Sequence, residues 1–480
     1  MTLFISNTFR AGVIGLAVLA CAAALLGTAG KVWAADGEQP PSAAASLKDS
    51  GDKLCKAFGP GYTAVGTTGL CARVGGGILV YASKEFTDRD IEMVGQRIPT
   101  LFNNSAGAPI VFYQKDDVSE ETRHPGAGAF VFAQMMLQAQ RADVGLLRAF
   151  VRIAADARTN YDDDGDVTVD LRQIENSYYY GALDEGWVQW NGLKIGVQPS
   201  MFGFNRLPNV VTPGYTSIVN TLSASYTIGF SRNASLSVAV EDPERRSMGD
   251  GILARPFRGD VPDIVAMARI ATPSTLYHFS GAIHRVDDHV MKDFIGGDEQ
   301  SVWGWAWSIG LQSRIKWEDL IGAEGAGVYG RLGLTAAYAS GAPGYLGIPF
   351  FAPDYIAGGD GTIYNSKGWS ALASYEHMLA PRVKLSLTAS YFSVSMHSDG
   401  EPVIPDLDPN IDALPGLEFE VDVRGAVLQA GLEYMPRPGL VLGIEGGYTT
   451  TEAKGRYMGF GADGVRVGFP HVGVYLRKSF

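Results

Sequence analysis

The sequence predicts an all-β protein, a 16-stranded antiparallel transmembrane β-barrel with an inward-folded third loop. The first observation is the end of the chain, residues 464–480, where apolar side chains alternate with small or polar ones up to Phe480. The second is a series of 16 segments with similar alternation, and the third is the alternation of short and long connections between them. A strand with one apolar and one polar face fits a barrel wall between lipid and water.

Residues 1–34 are predicted to be a secretory signal peptide. They carry positive charge before an unbroken apolar stretch, residues 11–26, and residues 32–34 fit a cleavage site. A transmembrane anchor or a lipoprotein cleavage site before Cys21 are the alternatives, and both fit the pattern less well. Residues 35–54 are rich in Pro, Ala and Ser and are expected to form a flexible periplasmic leader.

Composition and charge narrow the class of protein. Without residues 1–34 the chain has 37 basic and 51 acidic side chains, a net charge of −14, which argues against nucleic acid as a partner. Every later apolar run is interrupted well before the roughly 20 residues that a spanning helix needs. If the chain is embedded in a membrane, it must therefore form a closed barrel, because an open sheet would leave backbone groups unpaired in lipid.

Two cysteines, Cys55 and Cys71, remain in the mature chain and predict one disulfide in an oxidising compartment. Closing a loop of about 15 residues stabilises a chain by roughly 3 kcal/mol in the entropy model. The bond would attach the mature N-terminus to the first strand. Two free thiols are the alternative.

Residues 55–480 are expected to form the barrel, because a barrel wall needs an even number of amphipathic strands of about ten residues. Sixteen strands are expected to begin near residues 71, 128, 145, 179, 193, 218, 234, 263, 275, 302, 328, 367, 383, 421, 439 and 464. Tight turns such as residues 191–192 would be periplasmic. Long connections, including residues 85–126 and 342–366, would be extracellular.

The third long connection, residues 201–217, is the candidate for narrowing the pore. A barrel of this size leaves an aqueous lumen, so a sieve requires a constriction. The connection carries Phe202, Phe204 and Arg206 and has no acidic residue. It would therefore narrow the pore by bulk, and an ordinary surface loop is the alternative.

Alternation along the strands predicts which charges face water, because a charge on the lipid face near the midplane costs roughly 2 to 4 kcal/mol. Four cations are expected to form a basic wall on the inner face, with Glu185 and Glu445 as counterweights. These four residues, called the basic wall below, are Arg73, Arg148, Arg152 and Lys194. The alternative is that these charges only hydrate the inner wall and do not set ion selectivity. The same alternation places His278 and His284 on the inner face.

Several segments resemble the alphaproteobacterial porins of the rhizobial type, and their order and spacing agree with that family. They are residues 54–59 (Leu-Cys-Lys-Ala-Phe-Gly), 68–76, 183–196 (Leu-Asp-Glu-Gly-Trp-Val-Gln-Trp-Asn-Gly-Leu-Lys-Ile-Gly), 200–204, 240–243, 262–266 and 476–480. The resemblance implies a homotrimer of 16-stranded barrels in the outer membrane of a Gram-negative bacterium, surrounded by lipid and lipopolysaccharide. Each barrel would be a passive water-filled channel for small hydrophilic solutes and ions.

Two positions depart from the family pattern and limit what the resemblance implies. The family usually has Arg where this chain has Val197, and an acidic residue where it has Gly203. The loop side of the constriction is therefore expected to be less charged, and ion selectivity cannot be copied from the family.

Other functions are weighed against a diffusion channel. An enzyme is disfavoured because no GxSxG or HExxH pattern occurs. A substrate-selective porin and a plugged structural or surface-binding barrel remain alternatives. Residues 160–166 resemble the first half of a calcium loop, but Leu171 stands where that loop needs Glu, so a solvated acidic loop is favoured. No cofactor or metal is predicted.

Overall fold

The structure is a computed structural model. It describes residues 55–65, 69–85, 126–141, 145–161, 167–172, 183–204, 215, 217–246, 261–288, 300–316, 329–348, 352–357, 363–398, 419–457 and 460–480. The predicted signal peptide and leader lie outside these residues, as do Arg206 and the acidic segment at residues 162–166. No helix in the described part of the chain is both long enough and apolar enough to cross a membrane.

The described chain is built almost entirely of β-strands. These are β1 (Thr63–Val65), β2 (Leu70–Glu85), β3 (Gly126–Arg141), β4 (Gly145–Tyr161), β5 (Val167–Arg172), β6 (Leu183–Trp190), β7 (Leu193–Pro199), β8 (Asn220–Ser231), β9 (Ala234–Glu241), β10 (Asp263–Ala271), β11 (Thr275–Asp288), β12 (Gln300–Lys316), β13 (Tyr329–Ser340), β14 (Tyr355–Ala357), β15 (Ile363–Asn365), β16 (Lys367–Ala380), β17 (Val383–Ser398), β18 (Phe419–Arg437), β19 (Leu440–Tyr457) and β20 (Phe460–Ser479). Short 3-10 helices occur at Pro243–Arg245 and Pro343–Leu346.

The main sheet closes on itself into an antiparallel barrel. β2 pairs with β3 on one side and with β20 on the other, where Gly77 lies opposite Ser479. The described sheet has 18 strands, of which β1 and β5 are short additions to β2 and β4, so 16 strands form the wall. The predicted 16-stranded antiparallel barrel is thus confirmed, and the observed strand starts lie within a few residues of the predicted ones.

Two differences from the predicted boundaries have local causes. β6 begins at Leu183 rather than near residue 179. The cause is that β5 pairs with residues 156–161 of β4, which leaves residues 147–153 of β4 for pairing with β6. β20 begins at Phe460 rather than near residue 464, because β19 and β20 continue as a paired hairpin beyond the bulge between Ala453 and Gly455. The two strands are thereby longer than the amphipathic pattern indicates.

The two faces of the wall differ as the alternation predicts. On β20, Val472, Val474 and Leu476 are 39%, 51% and 40% exposed on the outer face, whereas Tyr475 between them is buried on the inner face. On β4, Leu147 and Ile153 are exposed outside. The apolar outer side chains form a band that is in contact with lipid in the membrane, which accounts for their exposure on the isolated barrel.

The predicted disulfide between Cys55 and Cys71 is present. It closes a small cluster with Tyr62, against which Phe58 and Met136 pack. β1 pairs with the start of β2, so it continues along the edge of β2 next to the end of β20. The disulfide therefore attaches the N-terminal segment to the first strand of the wall.

Candidate pore and constriction

Arg148 and Arg152, two of the predicted pore-lining residues, lie on the face of β4 opposite the exposed Leu147 and Ile153. Arg148 is 8% exposed and stands in register between Gln138 of β3 and Gln189 of β6. Arg152 forms ion pairs with Asp184 through Nε and with Glu185, at 3.2 Å from Nη2 to Oε2. The charge of Arg152 is therefore compensated locally by two carboxylates.

Glu185 and Lys194 meet at the ring of Trp187, which sequence reasoning did not select. The indole N–H of Trp187 donates to Oε1 of Glu185 at 2.8 Å, and Nζ of Lys194 lies 4.0 Å from the ring centroid. Phe150 stacks on the same indole at 5.7 Å between centroids. The aromatic ring thus holds Lys194 by a cation–π contact and holds Glu185 toward Arg152. Alternation along β6 could have identified Trp187.

Arg73 is placed apart from the other members of the basic wall, beside the N-terminal segment. Its guanidinium carbon lies 5.0 Å from the ring centroid of Tyr62. The hydroxyl of Tyr62 accepts a hydrogen bond from Nε2 of Gln138 at 2.7 Å. The segment held by the disulfide therefore lies against the inner face of β2 and β3.

A second group of charged residues lies on the opposite side of the barrel, on β13 and β16 to β18. Glu433 of β18 is nearly fully buried, with its carboxylate 2.7 Å from Nζ of Lys384 and 2.7 Å from the hydroxyl of Tyr475, which donates to it. Lys384 also pairs with Glu376 at 3.1 Å, and Glu376 pairs with Arg331. Basic and acidic groups are thus paired on this side. Glu445, the other predicted counterweight, is buried on the inner face of β19.

The described residues of the connection between β7 and β8 contact distant strands of the wall. Phe202 is fully buried, and its carbonyl accepts a hydrogen bond from the hydroxyl of Ser280 on β11 at 3.0 Å. Phe204 stacks on His278 of β11 at 4.7 Å between centroids. These contacts place both aromatic rings against the inner face of β11.

Tyr215, at the other end of the same connection, contacts β17. Its backbone N–H donates to Oγ of Ser390 at 3.1 Å, and its ring meets that of Phe392 edge to face at 4.6 Å. Six wall strands separate β8 from β17. Arg206, the third predicted constriction residue, lies outside the described residues.

The described residues of a second connection, between β13 and β16, are also mostly buried, although its position in the strand order predicts an extracellular loop. Its 3-10 helix, Pro343–Leu346, contains Tyr345 and Leu346, which are 0% and 1% exposed. Tyr345 meets Phe202 edge to face at 4.7 Å between centroids. The two connections therefore pack against each other.

Arg246, just after β9, joins these two connections. Its guanidinium donates to the carbonyl of Gly344 at 3.0 Å and to the carbonyl of Ser217 at 2.7 Å. It also lies over the ring of Tyr345, at 4.5 Å from the centroid. Glu241, at the end of β9, accepts a hydrogen bond from the N–H of Met201 at 2.9 Å.

The buried carboxylate of Asp263 fixes the position of Tyr345. Its hydroxyl donates to Asp263 at 2.5 Å, and the other oxygen of Asp263 lies 2.7 Å from Nδ1 of His284. Burial raises the pKa of Tyr345 well above its usual range, so the phenol stays a neutral donor. His278 and His284 both lie on the inner face, as predicted. His278 contacts the connection between β7 and β8, whereas His284 contacts Asp354 in the connection between β13 and β16.

The strands that face these connections carry small inner side chains, which leaves space for the inserted rings. Gly310 of β12 is the clearest case, because a Cβ there would lie 2.1 Å from Cδ1 of Phe204. We call the buried apolar cluster the lumen core. Its members are Phe202, Ala239, Val265, Ala282, Ala306, Ala337, Ala339, Ala342, Tyr345, Leu346, Ile348, Ala352, Phe392, Val394, Met396 and Val423.

The closed barrel with a wetted inner face and an apolar outer face defines an outer-membrane channel. The family model described as the porin subfamily matches residues 53–464, and the chain belongs to this family. It is an outer-membrane porin of Gram-negative type that forms a channel for passive diffusion. The predictions of a porin, of the outer membrane and of passive diffusion are thereby confirmed.

The chain is similar in structure to the outer membrane channel DcaP of Acinetobacter baumannii, with 13% identity over 86% of this chain and 97% of that chain and a TM-score of 0.54. It is also similar to OprB of Pseudomonas putida, with 10% identity, coverage of 85% and 94%, and a TM-score of 0.48. An anion-selective porin from Comamonas acidovorans matches with 10% identity, coverage of 86% and 100%, and a TM-score of 0.42. At these identities the likeness concerns the fold alone. Among curated proteins, no sequence matches this chain significantly.

Proposed function

We propose that the third connection folds inward, that it fills one sector of the lumen together with the lumen core, and that this porin conducts through the other sector. The observation that supports this is the burial of Phe202 and Tyr345 against inner-face alanines of β9 to β13. A filled sector excludes water, since protein interiors pack without voids larger than a water molecule. Solutes then pass along β2 to β7 and β20, and along β18 and β19 outside the part where Val423 and Ala453 contact the lumen core.

The wall of this open sector carries the candidate pore-lining residues. Arg152 is compensated by Asp184 and Glu185, so Arg73, Arg148 and Lys194 supply the basic character of that wall. Two carboxylates on the opposite side, Glu433 and Glu376, are paired with Lys384. The proposed channel therefore favours small anions over cations, although salt screens these charges beyond about 8 Å at physiological ionic strength.

We further propose a homotrimer that uses the outer faces of β2 to β4. Their exposed outer side chains are aliphatic, for example Val74 and Ile153, whereas β11 to β17 carry an aromatic outer surface that includes Trp303 and Trp369. Aromatic residues form girdles at the lipid interfaces. The aliphatic face is therefore the better candidate for protein contact. Crosslinking of Val74→Cys into covalent dimers by a bifunctional thiol reagent, but not of Trp303→Cys, tests this assignment.

The remaining parts of the proposal follow from the sequence. Residues 1–34 direct export and are removed, and residues 35–54 lie in the periplasm. We also propose an alphaproteobacterial source, which the resemblance to rhizobial-type porins supports. The channel has no enzymatic activity, and its partners are outer-membrane lipid, lipopolysaccharide, and small hydrophilic solutes and ions.

Single-channel conductance of the reconstituted protein under a salt gradient tests the proposal. Stepwise openings in groups of three, with a reversal potential of the sign for anions, are the expected result. A reversal potential of the sign for cations would reject the anion preference. A silent bilayer, from protein that still shows heat-modifiable migration, would reject an open channel in favour of a plugged barrel.

A further inference from the structure

The N-terminal segment Cys55–Val65 covers part of the inner face of the barrel wall. We call this segment the N-terminal insert. The disulfide to Cys71 joins it to β2, and the hydrogen bond of 2.7 Å from Gln138 to the hydroxyl of Tyr62 joins it to β3. Met136 of β3 packs against the same cluster. A covalent bond, a hydrogen bond and apolar contacts therefore fix the insert to the wall.

The N-terminal insert extends upward from the periplasmic end of the wall. The ring centroid of Tyr62 lies 5.0 Å from the guanidinium carbon of Arg73. Arg73 stands opposite Met136, which lies five residues before the end of β3 at Arg141. Five residues span about 17 Å along a strand, or about 13 Å along the axis of a barrel whose strands tilt by about 40°. Tight turns are periplasmic in such barrels, so the insert lies in the periplasmic part of the lumen.

The N-terminal insert lies opposite the third connection. In a wall of 16 strands, β2 and β11 are eight strands apart in either direction, so they form opposite sides of the barrel. Phe204 of the third connection stacks on His278 of β11. Arg73 is the fourth residue of β2 and His278 is the fourth residue of β11, which places them at similar heights. The wall therefore carries an additional chain segment on each of two opposite sides at about the same height.

Lys56 lies on the side of the insert that faces away from the wall. It belongs to a short turn, which is closed by a hydrogen bond of 3.1 Å from the N–H of Phe58 to the carbonyl of Cys55. Cys55 and Phe58 pack in the cluster on the wall, whereas Lys56 and Ala57 between them are exposed. The insert therefore presents a cation to the solvent.

We propose that the N-terminal insert forms the second side of the constriction and that Lys56 is a selectivity-determining residue there, which favours small anions. The proposal rests on the inward fold of the third connection proposed above. That connection, residues 201–217, has no acidic residue and so offers no carboxylate to pair with Lys56. Charged side chains set ion selectivity where a pore is narrow. Lys56 therefore acts on ions where the two inserted segments approach each other.

Charge reversal at Lys56 tests the proposal, with single-channel reversal potentials measured in two salt gradients. The test variants are K56E and K56Q. The matched control is K478E, which changes an exposed lysine at the same end of the barrel on the outer face. The dilute side has about 0.1 M salt in one gradient, with a Debye length of about 10 Å, and about 1 M in the other, with a Debye length of about 3 Å. The higher salt screens a charge in a wide vestibule, whereas a charge in a narrow passage stays effective.

The K56E variant is expected to shift the reversal potential toward cations in both gradients. The shift for K56Q is expected to be about half as large, because K56Q removes one charge and K56E changes the charge by two. K478E is expected to keep the wild-type value. A shift for K56E that disappears in the gradient with the higher salt would overturn the proposal, and so would an equal shift for K478E.

The variant Phe204→Ala, recorded in parallel, tests the third connection on its own. A larger conductance of this variant supports the inward fold, because the ring then no longer fills the space beside His278. That larger conductance, together with wild-type selectivity of K56E, would reject the role of Lys56 alone. Wild-type conductance of Phe204→Ala, together with wild-type selectivity of K56E, would reject both the inward fold and the role of Lys56.

Discussion

Arg246→Met is expected to loosen both inserted connections, because Arg246 donates to a carbonyl in each of them. The hydrogen bonds to Gly344 and Ser217 measure 3.0 and 2.7 Å, and the side chain is 2% exposed. Hydrogen bonds from a charged donor contribute about 1.5–3 kcal/mol each, so the substitution is expected to cost about 3–6 kcal/mol of unfolding free energy. Arg232→Met, in an exposed periplasmic turn, is the matched control.

The assay combines urea unfolding in lipid vesicles with single-channel recording. Arg246→Met is expected to lower the unfolding midpoint and to give a larger, noisier conductance, because the lumen core loses its link between the two connections. Adding Glu241→Gln removes the carboxylate that Arg246 faces and is expected to recover about 1 kcal/mol or more of that loss. A variant with wild-type stability and wild-type conductance would refute the assigned role of Arg246.

Three further outcomes are expected. Gly310→Val places a side chain into the ring of Phe204, which is expected to destabilise the barrel by about 1–3 kcal/mol in urea unfolding, and an unchanged midpoint would contradict the packing. Replacing Cys55 and Cys71 by Ser is expected to cost about 3 kcal/mol, and the difference should vanish when the wild-type protein is measured under reducing conditions. Lys194→Gln is expected to shift the reversal potential toward cations, whereas a shift toward anions would contradict the proposed anion path.

The barrel wall could be predicted because its signal is local. Each strand must alternate apolar and polar side chains to separate lipid from water, so short segments carry the pattern independently. The same alternation placed Arg148 and Arg152 on the inner face. It also placed His278 and His284 there.

The lumen core could not be predicted in full, because it depends on contacts between segments far apart in the chain. The connection around Tyr345 has no periodic pattern, and nothing near Arg246 in the sequence marks it as a buried link. One feature of the strand sequences does indicate that part of the lumen is filled. The inner face of β12 carries only small residues from Gly304 to Gly310, which indicates that something else fills the adjacent space.

The most direct test of the partly filled lumen is the reaction of single cysteines with a membrane-impermeant thiol reagent during single-channel recording. Gln134→Cys lies on the inner face of β3 in the proposed open sector, and Ala306→Cys lies in the lumen core. Cys55 and Cys71 are joined as a disulfide and do not react. The proposal predicts a rapid drop in current for Gln134→Cys and no change for Ala306→Cys. Equal reaction at both positions would contradict it.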